Sequence, residues 1–140
     1  MATIRLEILT AERVLFEGDV DAVVAPGAEG ELGILPMHAS LMSTLQPGEL
    51  RYRVGGEESF LAVTGGFIEV TSEKVIILAD AAERVEEIDE ARAIEAVKRA
   101  EQRVLNRSGD MELERALRSL RRAQVRVTTS ARRRRRASAS

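Results

Sequence analysis

Apolar and polar residues alternate at the start of the chain with the period of a half-buried β-strand. Ile4, Leu6 and Ile8 alternate with charged residues between positions 3 and 9. Further short runs rich in β-branched residues follow as far as Ala79, and Gly or Pro residues bound them. No helical pattern lies between these runs. The pattern predicts about eight to ten short strands that form an antiparallel sandwich or a flattened barrel over residues 1–84.

Pairs of glycines mark the connections between the later strands. Gly55–Gly56 lies between two alternating runs, which predicts a β-hairpin. Gly65–Gly66 is predicted to separate the second of these strands from the run Phe67–Val70. The run Val75–Ala79 is continuously apolar, and this pattern predicts a strand buried on both faces.

Beyond residue 84 the apolar residues recur at helical spacing. Asp89 can cap a first helix by accepting hydrogen bonds from free backbone N–H groups, and Gly109 can end it. Residues 85–128 are therefore predicted to form two helices of about 16 residues each, packed as an antiparallel hairpin. The predicted apolar stripes are Ile94, Val97 and Leu105 in the first helix, and Leu113, Leu117, Leu120 and Val127 in the second.

Composition limits the class of protein. The fold class is predicted as α+β, an N-terminal antiparallel β-sandwich followed by a C-terminal two-helix hairpin. The 140 residues are 44% apolar and 31% charged, as expected of a soluble globular chain, and they include no Cys. No apolar run approaches the ~18 residues of a membrane span. The first residues lack the apolar core of a signal peptide, so a cytoplasmic protein is expected.

Charge divides the chain into two halves. Residues 1–84 carry 14 acids and 6 bases, whereas residues 85–140 carry 9 acids and 15 bases. The basic residues of the second half form rows on the predicted helices, opposite the apolar stripes. Two interpretations are open: a solvated face in which Glu95 pairs with Arg99 and Glu114 with Arg118, or a site for an anion such as a nucleoside phosphate.

No pattern in the chain indicates a catalytic site. His38 is the only histidine, and it is interpreted as a polar residue that closes a turn after Pro36. No Walker-type phosphate loop is present. Residues 129–140 include five consecutive arginines, Arg132–Arg136, and are predicted to be a disordered basic tail. The chain carries no motif of a specific nucleic-acid reader.

Four ordered motifs resemble those of one family, the epsilon subunit of F-type ATP synthase. The chain departs from the family pattern at Met37, where Gly is common, and in the tail that follows Thr128. The motifs are Gly30-Glu-Leu-Gly-Ile-Leu-Pro36 with His38, Gly65-Gly-Phe67 with Glu69-Val70, Ala81-Ala82-Glu83-Arg84, and Ile88-Asp89-x-x-Arg92-Ala93.

The resemblance implies a non-catalytic rotor subunit. A subunit of this kind binds the gamma subunit and the c-ring through its sandwich, and it lies peripherally on the cytoplasmic face of the cell membrane. Its hairpin is expected to extend toward the alpha and beta subunits and then to inhibit ATP hydrolysis. No cofactor is expected to be required. ATP is expected as a regulatory ligand of the folded-down hairpin, and the part played by Mg²⁺ is left open.

The resemblance also implies residues for the ATP site. The motif places the site at the turn that contains Ile88, Asp89, Arg92 and Ala93, and Glu83 matches a position that contacts adenine. The arginines expected to join them are Arg99, Arg115, Arg122 and Arg126. The alternative from a different class is a free-standing β-sandwich adaptor whose basic hairpin and tail bind nucleic acid or an anionic membrane.

Overall fold

The computed structural model describes residues 2–107 and 109–139, with side chains described as far as residue 132. The chain divides into two compact units, Met1–Arg84 and Val85–Ser140. The first unit consists of strands and the second of helices. Each is described by itself below.

Eight strands form the first unit, and they pair as one continuous sheet in the order β2-β1-β7-β6-β5-β3-β4, with β8 paired to β6. One apolar cluster, to which every strand contributes, is enclosed by this folded sheet and forms the core of the predicted β-sandwich. The strands are β1 Ile4–Leu9, β2 Val14–Val20, β3 Ala22–Gly27, β4 Gly30–Ile34, β5 Leu41–Val54, β6 Glu57–Val70, β7 Lys74–Ala79 and β8 Ala82–Arg84.

The alternation at the start of the chain is confirmed, because Ile4, Leu6 and Ile8 of β1 are all buried. β7 differs from the prediction. Its burial alternates, and Leu78 is 49% exposed, so the strand is not buried on both faces. β7 lies between β1 and β6, and Val75, Ile77 and Ala79 on one of its faces belong to the apolar cluster. A continuous apolar run therefore does not require two buried faces here.

The sheet also differs from a purely antiparallel one. β1 pairs with β7 in parallel, with Leu6 opposite Val75 and Ile8 opposite Ile77. All other strand pairs are antiparallel. The parallel pair joins the first strand of the unit to one of the last, a long-range pairing for which sequence periodicity carries no signal.

Two long strands connect the layers of the sandwich. β5 and β6 each span 14 residues and pair along their whole length, and the predicted hairpin at Gly55–Gly56 is confirmed. Both glycines have positive φ, 58° and 89°, as a two-residue turn of type I′ requires. Gly65–Gly66 does not separate two strands as predicted. The pair lies within β6, where β6 changes its neighbour from β8 to β7.

The second unit begins with a short 3₁₀ turn, Val85–Glu87, and continues with α1 Glu90–Leu105 and α2 Asp110–Ala139. The two helices pack against each other, and α2 also approaches the 3₁₀ turn. Residues at the end of α1 and at the start of α2 line one cleft, and the two helices pack against each other, so the hairpin is antiparallel, as predicted.

The buried apolar residues of the two helices are alanines, whereas the predicted aliphatic stripes are half-buried at Val97, Leu113, Leu120 and Val127 and exposed elsewhere. The buried apolar residues of α1 and α2 are Ala93, Ala100, Ala116 and Ala123, here called the alanine seam. Ile94 is 39% exposed and Leu105 is 71% exposed, so the predicted stripe of α1 is wrong at both positions. Alanines spaced by seven residues let two helix axes approach closely, and this turns the larger neighbours outward.

α2 is longer than predicted. It continues to Ala139, whereas the sequence pattern predicts about 16 residues followed by a disordered tail. The segment contains neither Gly nor Pro and is rich in Arg and Ala, which are strong helix formers. Thr129 and Ser130 are fully buried, and the Ser130 hydroxyl donates to the Val127 carbonyl oxygen (2.8 Å). The last residue of the predicted tail, Ser140, lies outside the described residues.

Candidate functional site

The first turn of α1 is built around its cap. Asp89 is the N-cap residue, and its carboxylate accepts a hydrogen bond from the Arg92 backbone N–H (3.1 Å). Ile88 is 2% exposed and Ala93 is fully buried, so these two side chains anchor the turn. The Arg92 side chain is exposed. The motif therefore combines a fixed backbone with a guanidinium group that can reach a ligand.

The alanine seam indicates how the two helices align, and this alignment gives the positions of the remaining predicted site residues along the helix axis. Ala93 and Ala100 face Ala123 and Ala116 if the antiparallel helices are aligned on their buried positions. In this alignment Arg122 and Arg126 lie level with the first turn of α1. Arg99 lies about 10 Å further along the axis at 1.5 Å per residue, and Arg115 lies beyond it toward the connection between the helices.

The contacts of these arginines differ. Arg99 lies 4.0 Å from Glu95, and both side chains are largely exposed, so this pair contributes little to stability. Arg122 donates a hydrogen bond to the Ser119 hydroxyl (3.1 Å). Arg126 is half-buried. Glu83 belongs to the first unit, where it lies in β8 opposite Ala62 of β6. The other eight predicted residues all lie in the second unit.

A cleft of about 420 Å³ opens between the helices near their connection. Arg115 is the one predicted site residue that lines it. The sequence alone does not identify the cleft, because its lining residues come together only when the two helices pack against each other. The lining residues are Gln102, Arg103, Asn106, Glu112, Arg115, Ala116 and Ser119.

The outer face of the sandwich carries a row of apolar side chains, of which Leu9 is half-buried and the other three are exposed, here called the apolar row. Phe67 lies opposite Leu78, Leu78 opposite Leu9, and Leu9 opposite Val14. Residues directly opposite each other in a sheet point to the same face, so the row crosses four adjacent strands. Phe67 is 56% exposed and Val14 is 53% exposed. Apolar side chains that are contiguous on an open face favour protein contact.

A second apolar feature lies in the connection between β4 and β5. The His38 backbone N–H donates to the Leu35 carbonyl oxygen (3.2 Å), so His38 closes a four-residue turn as interpreted from the sequence. Pro36 occupies the second position, and Met37 has a φ of 64° at the third, which is the geometry of a type II turn. Leu35 is 60% exposed and Met37 is 84% exposed. The turn therefore presents two apolar side chains to its surroundings.

Within the described residues, no group of three or more His, Cys, Asp or Glu side chains is placed to hold a metal ion. Neither helix, over its described length, is long and apolar enough to cross a membrane.

Two family models match the chain, one for each unit. The beta-sandwich domain of the ATP synthase delta/epsilon chain matches residues 3–85, and the long alpha-helix domain of the same chain matches residues 86–131. An ATP synthase epsilon chain of Dehalococcoides mccartyi is 54% identical over 136 residues, which cover 96% of each chain. An ATP synthase epsilon chain of Herpetosiphon aurantiacus is 50% identical over 133 residues, covering 95% of this chain and 98% of that one.

Solved structures share the fold at lower identity. A chain of the Euglena gracilis mitochondrial ATP synthase, from a structure of OSCP, F1 and the c-ring, matches with a TM-score of 0.79 and 24% identity. It covers 89% of this chain and 79% of that one. A chain of the Tetrahymena thermophila mitochondrial ATP synthase central stalk and c-ring has a TM-score of 0.53 and 20% identity, covering 61% and 69%.

A β-sandwich followed by a helical hairpin, each matched by its own family model, is the architecture of a non-catalytic ATP synthase subunit. The chain belongs to the ATP synthase delta/epsilon family, and its curated relatives are epsilon chains. The resemblance drawn from the four sequence motifs is thereby confirmed.

Proposed function

We propose that this chain couples the gamma subunit to the c-ring in the central stalk of an F-type ATP synthase. The apolar row is the observation that carries the proposal. Half-exposed apolar side chains on four adjacent strands offer a flat face for a protein partner, and burying such surface contributes about 25 cal/mol per Å². We assign this face to the gamma subunit and the exposed turn at Leu35 and Met37 to the c-ring.

Co-purification with a gamma subunit tests this assignment. Phe67→Glu places a charge in the middle of the apolar row and is expected to abolish the complex. Val54→Glu is a matched control, because Val54 is also an exposed apolar residue (45%) but lies beside the Gly55–Gly56 turn. A chain that fails to bind any gamma subunit, or two variants that bind equally well, would contradict the assignment.

The second unit is proposed to be a mobile regulatory hairpin that inhibits ATP hydrolysis when it extends toward the alpha and beta subunits. The alanine seam supports this, because alanines bury little apolar surface. Each buried CH₂-sized group contributes about 0.8 kcal/mol, whereas a fully buried Leu contributes about 1.5–3 kcal/mol. A synthase assembled with a chain ending after residue 87 should hydrolyse ATP faster than one with the full chain, whereas an unchanged rate would contradict inhibition.

ATP is proposed to stabilise the folded-down state of this hairpin. The fixed turn Ile88–Ala93 suits the adenine end, and the arginines of the predicted site suit the phosphates because guanidinium groups bind phosphate bidentately. Moving a two-state equilibrium from 1:99 to 99:1 requires about 5.5 kcal/mol of differential binding. Three or four charge-assisted hydrogen bonds of about 1.5–3 kcal/mol each are sufficient, less the cost of ordering.

Calorimetric titration of the full chain with ATP, with and without Mg²⁺, tests the nucleotide site. Arg92→Ala is expected to weaken ATP binding about tenfold or more, since it removes one charge-assisted contact. Arg118→Ala is the control, because Arg118 is exposed on α2 and is not among the predicted site residues. Absence of ATP binding to the parent chain would refute the site.

The proposed place of action is the cytoplasmic face of the cell membrane, where the synthase would hold the chain as a peripheral subunit. Membrane fractionation tests this. The chain should sediment with membranes when the gamma subunit is present and remain in the supernatant with the Phe67→Glu substitution.

A further inference from the structure

A second row of side chains lies beside the apolar row on the outer face of the sandwich. Glu69 follows Phe67 by two residues on β6, and residues two apart on a strand point to the same face. Glu69 lies opposite Met42 of β5 and opposite Ile76 of β7. Its carboxylate therefore stands on the face that we assign to the gamma subunit, about 7 Å along the strand from the apolar row.

Apolar side chains flank Glu69 on three sides. Met42 is 70% exposed, Ile76 is half-buried, and Phe67 is exposed at the neighbouring position of the same face. Glu69 is itself exposed. Water solvates its carboxylate in the free chain, so the charge carries no cost until a partner covers this face and displaces that water.

Glu7 provides a contrast on the same face. It lies in β1 opposite Ile76, on the other side of β7 from Glu69. The Glu7 carboxylate forms an ion pair with the Lys74 ammonium group (2.8 Å), and its side chain is only 18% exposed. Within the described part of the chain, Glu69 has no ion-pair partner. The fold thus neutralises one acid of this face by itself and leaves the charge of the other to a partner.

A partner that buries the apolar row also covers Glu69. Protein interfaces of standard size bury about 800 Å² on each side, so a group about 7 Å from the middle of the contact lies well inside it. A carboxylate that loses its water without gaining a cation opposes binding, whereas a facing guanidinium or ammonium group replaces the lost interaction. Tight contact over this face therefore requires a complementary charge on the partner.

We propose that the gamma subunit places an Arg or Lys side chain against Glu69 when it covers the apolar row. This inference rests on the proposed assignment of the face to the gamma subunit, and it adds the chemistry of the partner surface, an apolar patch beside one basic group. A long basic side chain suits the position, because its CH₂ stem can pack on Met42 and Ile76 while its charge reaches the carboxylate.

Calorimetric titration of the full chain with the gamma subunit, at about 0.1 M and about 1 M NaCl, tests the proposal. Glu69→Gln keeps the size of the side chain and removes its charge. It is expected to weaken binding about tenfold or more at the lower salt concentration, because the basic group of the partner is then left unpaired. The difference from the parent chain should shrink at the higher concentration, since salt screens the pair. Glu69→Lys should abolish binding at the lower concentration.

The matched control is Glu57→Gln, which removes the same charge from an exposed position of β6 beside the Gly55–Gly56 turn. It should bind like the parent chain. Circular dichroism verifies that each variant keeps its fold.

Equal affinity of the parent chain and Glu69→Gln overturns the inference, and so does equal weakening by Glu57→Gln. Tighter binding of Glu69→Gln also overturns it, because that result shows that the carboxylate is buried without a cation. In these cases the assignment of the face to the gamma subunit still stands if Phe67→Glu abolishes the complex. If Phe67→Glu also binds like the parent chain, the proposed function fails together with the inference.

Discussion

The carbonyl oxygen of Leu78 occupies the space that a β-carbon on residue 66 would need. Gly66 lies within β6 and has a φ of 126°, so both its neighbour and its backbone conformation require glycine. The close approach lets β6 bend where it passes from β8 to β7. The sequence pattern assigns Gly66 to a connection between strands. In the structure it lies in the middle of β6, where the packing against Leu78 requires glycine.

We expect Gly66→Ala to lower the free energy of unfolding of the first unit by about 3 kcal/mol or more, since backbone atoms must move to admit the methyl group. Urea unfolding followed by circular dichroism measures the change. Gly33→Ala is the control, because a β-carbon there meets nothing within 4 Å and no positive φ is involved. Equal free energies of unfolding for the two variants would show that the backbone around residue 66 accommodates a β-carbon without cost.

Met37→Gly is expected to stabilise the chain by about 0.5–1 kcal/mol. Met37 holds a left-handed conformation, which costs a residue with a β-carbon about 1–2 kcal/mol, and part of this gain is offset by the greater freedom of glycine in the unfolded chain. Thermal unfolding checks the result, with Met37→Ala as the control that retains the β-carbon. If the Met37→Gly variant is no more stable than the Met37→Ala variant, the left-handed conformation at residue 37 does not destabilise the chain.

Asp89 combines two roles that substitution can separate. Asp89→Ala removes the hydrogen bond to the Arg92 N–H and should cost about 1 kcal/mol of helix stability, whereas Asp89→Asn should cost little because Asn caps equally well. Hydrogen exchange of the first turn of α1 measures the effect. If Asp89→Asn frays the turn as much as Asp89→Ala, the cap depends on charge and not on the hydrogen bond.

Ala100→Leu should push the helices of the second unit apart. Ala100 is 2% exposed in the seam, and adding three carbons to a packed position costs about 1–3 kcal/mol. Hydrogen exchange over α1 and α2 should show faster opening. Leu105→Ala is the control with an expected effect within about 0.5 kcal/mol, since Leu105 is 71% exposed. Equal hydrogen-exchange protection of the parent chain and the Ala100→Leu variant would mean that the alanine seam accommodates a larger side chain.

The features readable from sequence are those that depend on neighbouring residues. Alternation predicts the burial of Ile4, Leu6 and Ile8, the Gly55–Gly56 pair predicts its hairpin, and Asp89 predicts its cap. Features that depend on a distant partner could not be read. The bend at Gly66 requires Leu78, and the parallel pairing of β1 requires β7.

The candidate site divides in the same way. The turn at Asp89 depends on neighbouring residues and can be recognised in the sequence, whereas the cleft lined by Arg115 depends on how the two helices pack. The sequence pattern places Ile94 and Leu105 on the apolar stripe because they are more hydrophobic than alanine, and both are exposed. Close packing of two helices favours small residues at the contact, and Ala93 and Ala100 are the buried residues of α1.

α2 is nearly twice as long as α1. Thirty residues at 1.5 Å per residue make a rod of about 45 Å, while the sixteen residues of α1 make one of about 24 Å. α1 can therefore lie alongside only about half of the length of α2. Each residue inserted or deleted within α2 would move its C-terminal end by about 1.5 Å along the axis and rotate it by about 100°. The number of residues in α2 therefore determines both the position and the orientation of that end.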